Sequence, residues 1–155
     1  MILAFLLPLV CPVAQARIGE SRRVCDRRYG EPVRVPEGAA MAVYRSRGVS
    51  IVVHFDAGLA DMLSFHKLPS SDGTPASPFT EREISDLLAA NGGERVWVAA
   101  AGTPERKEWR TEDGELGALL LRSTGYLVVY TSAFARDAAQ EGGAESSLWR
   151  RPSEV

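Results

Sequence analysis

The sequence predicts an α+β protein: two tandem α-β-β-β units forming an antiparallel meander sheet, with the helices packed on one face. Three observations point there. Apolar residues recur at helical spacing in two separate stretches, each stopped by glycine. Short runs of period-two alternation, joined by glycine turns, follow each stretch. The two halves also repeat one order of elements, namely helix, glycine stop, strand with an aromatic, glycine turn, strand, tight turn, strand.

The chain has 155 residues, with 18 Lys plus Arg against 20 Asp plus Glu and a formal net charge of −2. That length suits one buried interior, or two small repeats sharing it. Hydrophobic residues at 45% and charged residues at 25% exclude a disordered or fibrous chain. The near balance of charge argues against nucleic acid as a partner, because such domains carry a basic excess.

The first sixteen residues contain no Lys, Arg, Asp or Glu. Ile2 to Val10 is apolar but too short to span a bilayer. It leads through Cys11-Pro12-Val13 to Ala14-Gln15-Ala16, a small-x-small pattern, and Arg17 is the first charge. This is the layout of a secretory signal peptide over residues 1–16. It implies a secreted or periplasmic mature protein with no stable membrane insertion after cleavage. Val10 stands where a lipobox has Gly, Ala or Ser, which speaks against lipidation of Cys11. Cleavage would leave Cys25 as the one thiol, with no internal disulfide and no cysteine-based zinc site. Its expected role is that of a small buried hydrophobe, and the alternative is a cross-link between two chains.

The first unit covers residues 17–67. Arg17 to Tyr29 reads as a helix, with Ile18, Cys25 and Tyr29 on one stripe and a stop at Gly30 and Pro32. Met41 to Arg45 is a strand, and Ser46-Arg47-Gly48 turns the chain. Val49, Ile51, Val53 and Phe55 then mark one buried strand face. A turn at Asp56-Ala57-Gly58 leads into Leu59 to His66. It sets Phe55 opposite Leu59, Ile51 opposite Leu63 and Val49 opposite Phe65, with Asp61 alone out of place.

Residues 68–78 hold three prolines, three serines and Asp72-Gly73, a surface linker. The second unit covers residues 79–131. Thr80 caps its helix, Glu83 completes a capping box, and Ile84, Leu87 and Leu88 form the stripe that ends at Asn91-Gly92-Gly93. Strands follow at Val96 to Ala101, Lys107 to Thr111, Leu116 to Leu121 and Tyr126 to Thr131. Residues 132–155, rich in Ala, Glu, Ser and Gly, read as a mobile tail.

A helix ending in Arg28-Tyr29-Gly30-Glu31-Pro32, then an aromatic strand and a meander, resembles two groups of domains. They are the small outer-membrane-assembly lipoproteins of the SmpA/OmlA type and the tandem β-lactamase-inhibitor-protein-like domains. The likeness covers residues 17–67, with 79–131 as a second copy. It implies protein binding without catalysis, and it carries over no binding residue.

The inventory of chemical groups is sparse. There are two histidines, His54 and His66. Six residues of strand at about 3.3 Å each hold them roughly 20 Å apart, too far to share a metal. His54 and Asp56 lie on one side and define the enzymatic alternative, a hydrolase-like base with its orienting carboxylate. No phosphate-loop, Gly-x-Ser-x-Gly, His-Glu-x-x-His or Cys-x-x-Cys motif occurs, so no cofactor and no metal are expected.

Apolar surplus is the stronger signal. In the last hairpin Leu116, Ala118, Leu120, Leu127 and Val129 fall on one side. Leu119, Leu121, Tyr126, Val128 and Tyr130 fall on the other. Helices on one face cannot hide both sets, so the second meets the other repeat, a partner protein or a returning segment such as Phe134 or Trp149. The expected binding residues are Val52, His54, Met62, Tyr126 and Tyr130. The expected function is an exported, non-enzymatic protein-binding or inhibitor-like module of the cell envelope. A structural envelope protein joined through Cys25 is the third possibility.

Overall fold

The computed structural model describes residues 17–36 and 40–140. Its elements run α1 (Arg22–Tyr29), β1 (Met41–Ser46), β2 (Val49–Asp56), β3 (Leu59–Lys67), α2 (Glu81–Gly92) and β4 (Trp97–Ala99). Then come β5 (Arg106–Thr111), β6 (Leu116–Leu121), β7 (Tyr126–Thr131) and α3 (Ser132–Gln140). All seven strands join one antiparallel sheet in the order β1-β2-β3-β7-β6-β5-β4. The fold is α+β with a meander sheet, and its two meanders meet where β3 pairs with β7.

Two-residue turns build the first meander. Arg47-Gly48 and Ala57-Gly58 all have positive φ, 49° and 75° in the first turn, 46° and 81° in the second. That conformation matches the right-handed twist of the strands it joins. A side chain there costs about 1–2 kcal/mol, so Arg47 and Ala57 carry strain that the hairpins must offset.

The second of these turns changes the expected register. Asp56 pairs with Leu59 and Phe55 with Ala60, one residue off the pattern read from sequence. Continued unbroken, this pairing would swing Leu63 and Phe65 to the outer face. A bulge at His54/Phe55 prevents it, so that His54 pairs with Met62, Val53 with Leu63 and Ile51 with Phe65. One extra residue on β3 thereby restores both side chains to the core. That residue is Asp61, and it sits against His54 on the outer face instead of among apolar neighbours.

The first helix is shorter than its apolar stripe suggested. Gly19 has φ 83°, Ser21 is the extended N-cap, and helix begins at Arg22. Residues 19 and 20 are tied to β3 instead, through Gly19 N–H to Ala60 O at 2.7 Å and Ala60 N–H to Glu20 O at 2.8 Å. Ile18, Cys25 and Tyr29 still pack on the core. The capping box of α2 is complete, with Thr80 Oγ1 accepting from Glu83 N–H and the Glu83 carboxylate accepting from Thr80 N–H. Such a cap contributes about 1 kcal/mol.

The core lies between these two helices and the inner sheet face. Tyr44, Val53, Leu63, Phe65, Leu127 and Val129 from the sheet meet Cys25, Ile84, Leu87 and Leu88 from the helices. The hydroxyl of Tyr44, a fully buried residue, donates to Asp26 Oδ1 at 2.8 Å, which satisfies the one polar atom that ring brings inside. Trp97 anchors β4 to α2, its indole Nε1 donating to Leu88 O at 2.7 Å while the ring lies against Gly92.

Residues 132–140, the first part of the expected tail, do not leave the sheet. They continue as α3, with Ser132 N–H bonded to Glu115 O at 2.8 Å and Phe134 N–H to Thr131 Oγ1 at 3.1 Å. The Phe134 ring lies 5.3 Å from that of His54, on the face opposite α1 and α2. Only two of the three helices therefore share a face, because the apolar ring of Phe134 has a second apolar surface to fold onto. Residues 1–16, with the expected signal peptide and Cys11, and residues 141–155, with Trp149 and the rest of the expected tail, lie outside the described residues.

Candidate functional site

Strand register settles which side chains share the outer face. His54, Met62, Tyr130 and Gly117 form one cross-strand row over β2, β3, β7 and β6. Val52, Ser64, Val128 and Leu119 form the next row, and Ser50, His66, Tyr126 and Leu121 the third. The structure thus brings Val52, His54, Met62, Tyr126 and Tyr130 onto one surface, within three adjacent rows.

Their exposure divides them. Met62 is 7% exposed, and its neighbours Val128 and Leu119 are 2% and 1%. Tyr130 is half-buried, and its ring lies over Gly117, where an added Cβ would meet ring carbons at 2.6 Å. Burial accordingly pushes the Tyr130 phenol above its ordinary pKa. Val52, His54 and Tyr126 are half-buried. The Tyr126 ring stacks on His66, with centroids 4.5 Å apart and planes 21° apart. No sequence motif pointed to His66 or Gly117; both follow from the cross-strand pairing.

The carboxylate that holds His54 is Asp61. Its Oδ1 lies 2.6 Å from His54 Nδ1, and both side chains are largely screened from solvent. Asp56, the expected partner, is exposed at the end of β2, because the turn and bulge direct Asp61 toward the imidazole. An imidazole so oriented can exchange a proton through Nε2, but Asp61 is its one hydrogen-bond partner among the described residues. His66 stands opposite Ser50, roughly 13 Å along the sheet from His54 rather than 20 Å, a consequence of the shifted register. Among the described residues, no three His, Cys, Asp or Glu side chains group as a metal site would require. No helix there is long and apolar enough to cross a membrane.

A cleft of about 220 Å³ adjoins the third row, lined by residues that include His66, Lys67, Ser77, Arg122 and Thr124. It does not include His54, and its volume falls below the roughly 300–1,000 Å³ of ordinary small-molecule sites. Lys67 is engaged there by Glu83 at 2.7 Å, and this ion pair with the cap bonds holds the Glu83 carboxyl below its usual range.

Cys25 is fully buried, and burial together with the charges of Glu20 and Asp26 pushes its thiol up to about 11. About one thiol in ten thousand is then ionised at pH 7, and that one is out of reach. Cys25 cannot link two folded chains. At pH 7, N-ethylmaleimide should modify Cys25 only as fast as the protein opens, and peptide mass spectrometry across a urea series measures this. Fast labelling in native buffer would place the thiol on the surface.

Comparison with known proteins finds no matching family model, curated protein or solved structure.

Proposed function

We propose that this chain is an exported, non-enzymatic protein-binding or inhibitor-like module of the cell envelope, and that its partner meets the outer face of the sheet. One observation carries the proposal: Val52, His54, Met62, Tyr126 and Tyr130 occupy adjacent register positions on one face, and all but the buried Met62 keep part of their surface open. The half-buried part of that surface combines an aliphatic side chain, an imidazole held by a carboxylate and a stacked Tyr126–His66 pair. Rigid, amphipathic groups of this kind give contact area at low entropic cost, as recognition surfaces require. The tandem-unit reading draws support from the pairing of β3 with β7, the last strand of each half, but the second half holds four strands where α-β-β-β has three.

Crosslinking and mass spectrometry of the mature protein in its native envelope tests the proposal. Tyr126→Ser should abolish partner crosslinks while the protein stays folded, its cost confined to about 0.5–1.5 kcal/mol from the lost stacking on His66. Tyr130→Ser is not a clean probe, because its ring covers Gly117. Undiminished crosslinking by Tyr126→Ser removes the outer face from the mechanism. A protein whose intact mass still includes Met1 was not exported by signal cleavage.

A further inference from the structure

The cleft beside the third row has walls from three separate segments. They are the end of β3, the linker residues 76–78 and the turn from Arg122 to Gly125 that joins β6 to β7. His66, Lys67 and Arg122 bring basic groups into it, Ser77, Ser123 and Thr124 bring hydroxyls, and no Asp or Glu lines it.

These donors are not equally spent. Lys67 Nζ is taken by Glu83 at 2.7 Å, Pro78 O at 3.3 Å and Ser77 Oγ at 3.5 Å, so its charge is cancelled and its protons are used. Arg122 is exposed and has no hydrogen bond or ion pair to a described residue. Its charge is felt by Glu81, but that carboxylate is bonded by Lys107 instead. The His66 ring is held by its stack on Tyr126, and its nitrogens have no hydrogen-bond partner among the described residues. The turn itself closes through Gly125 N–H to Leu121 O at 2.8 Å and Arg122 N–H to Glu105 O at 2.9 Å. The N–H groups of Ser123 and Thr124 are left without a described main-chain acceptor.

A guanidinium, an imidazole, two hydroxyls and two main-chain N–H groups, all unspent and with no carboxylate among them, select an anion over a cation or an apolar ligand. About 220 Å³ gives room for a phosphate carrying a short alcohol and excludes larger ligands.

We propose that this cleft binds a phosphate group, free or as a small phosphomonoester, between Arg122, His66 and the Ser123–Thr124 turn. The guanidinium fork matches two phosphate oxygens at once. The imidazole and the turn serve the remaining oxygens from the other walls, whereas a carboxylate, with two oxygens, leaves part of this donor set unused. The site is open to solvent, where salt screens it, so binding is weak, with a Kd on the order of 1 mM.

NMR titration of the purified protein at fixed ionic strength, with inorganic phosphate and separately with glycerol 3-phosphate, tests this. The amides of His66, Ser123 and Thr124 should shift together and saturate. Saturation by glycerol 3-phosphate assigns the site to phosphomonoesters, and saturation by inorganic phosphate alone assigns it to the free ion; both support the proposal. Arg122→Gln should weaken binding at least about tenfold, because it removes the bidentate cation. Arg27→Gln removes an exposed arginine on α1 and should change binding less than about twofold. Both side chains are exposed, so both variants should melt as wild type does. Shifts still linear at about 50 mM ligand overturn the proposal, and so does equal saturation by acetate. A loss in Arg122→Gln no greater than that in Arg27→Gln overturns it as well.

Discussion

Phe65→Ala should destabilise the protein by about 3–5 kcal/mol, the range for deleting a buried aromatic ring. Phe65 is 1% exposed on β3, the strand joining the two meanders, with Ile51 on one side and Leu127 on the other. Removing the ring takes away its transfer free energy and leaves a void where β2, β3 and β7 cannot close in without breaking their ladders. A domain of this size has about 5–15 kcal/mol in total, so the variant should unfold at a much lower urea concentration. Urea titration followed by tryptophan fluorescence measures the loss. A cost under about 1.5 kcal/mol would mean that the bulge at His54/Phe55 does not set the register described above and that Phe65 faces outward.

Gly117→Ala should cost about 1–3 kcal/mol, although alanine suits a strand better than glycine does. The added Cβ would lie 2.6 Å from Cε2 and Cζ of Tyr130 and 2.8 Å from its hydroxyl. The ring would have to lift from the sheet, and packed neighbours resist such movement. Combining Gly117→Ala with Tyr130→Ser isolates the contact. Tyr130→Ser alone should cost about 2 kcal/mol through lost burial, and Gly117→Ala in that background should be close to neutral. The coupling between the two sites should therefore reach about 1–3 kcal/mol. Additive costs would show that the ring does not rest on Gly117.

Much of this architecture is legible in one dimension. The β-strands alternate with a period of two, so the division of the last hairpin into an inner set with Leu120 and Val129 and an outer set with Leu119 and Val128 follows from residue order. The capping box at Thr80 and Glu83 is equally local, because each partner lies within one helical turn of the other.

What lies beyond one hairpin or one turn was decided by packing. Residue order could not place a bulge, since its position depends on which phase buries Leu63 and Phe65. The bulge in turn made Asp61, not Asp56, the partner of His54 and brought the two histidines closer along the sheet. Nor could it show that residues 132–140 coil into a helix whose Phe134 settles over His54, because that contact joins positions eighty residues apart. Local chemistry determines which way each side chain points; which partner it meets is a balance of burial over the whole sheet, and only the assembled fold strikes it.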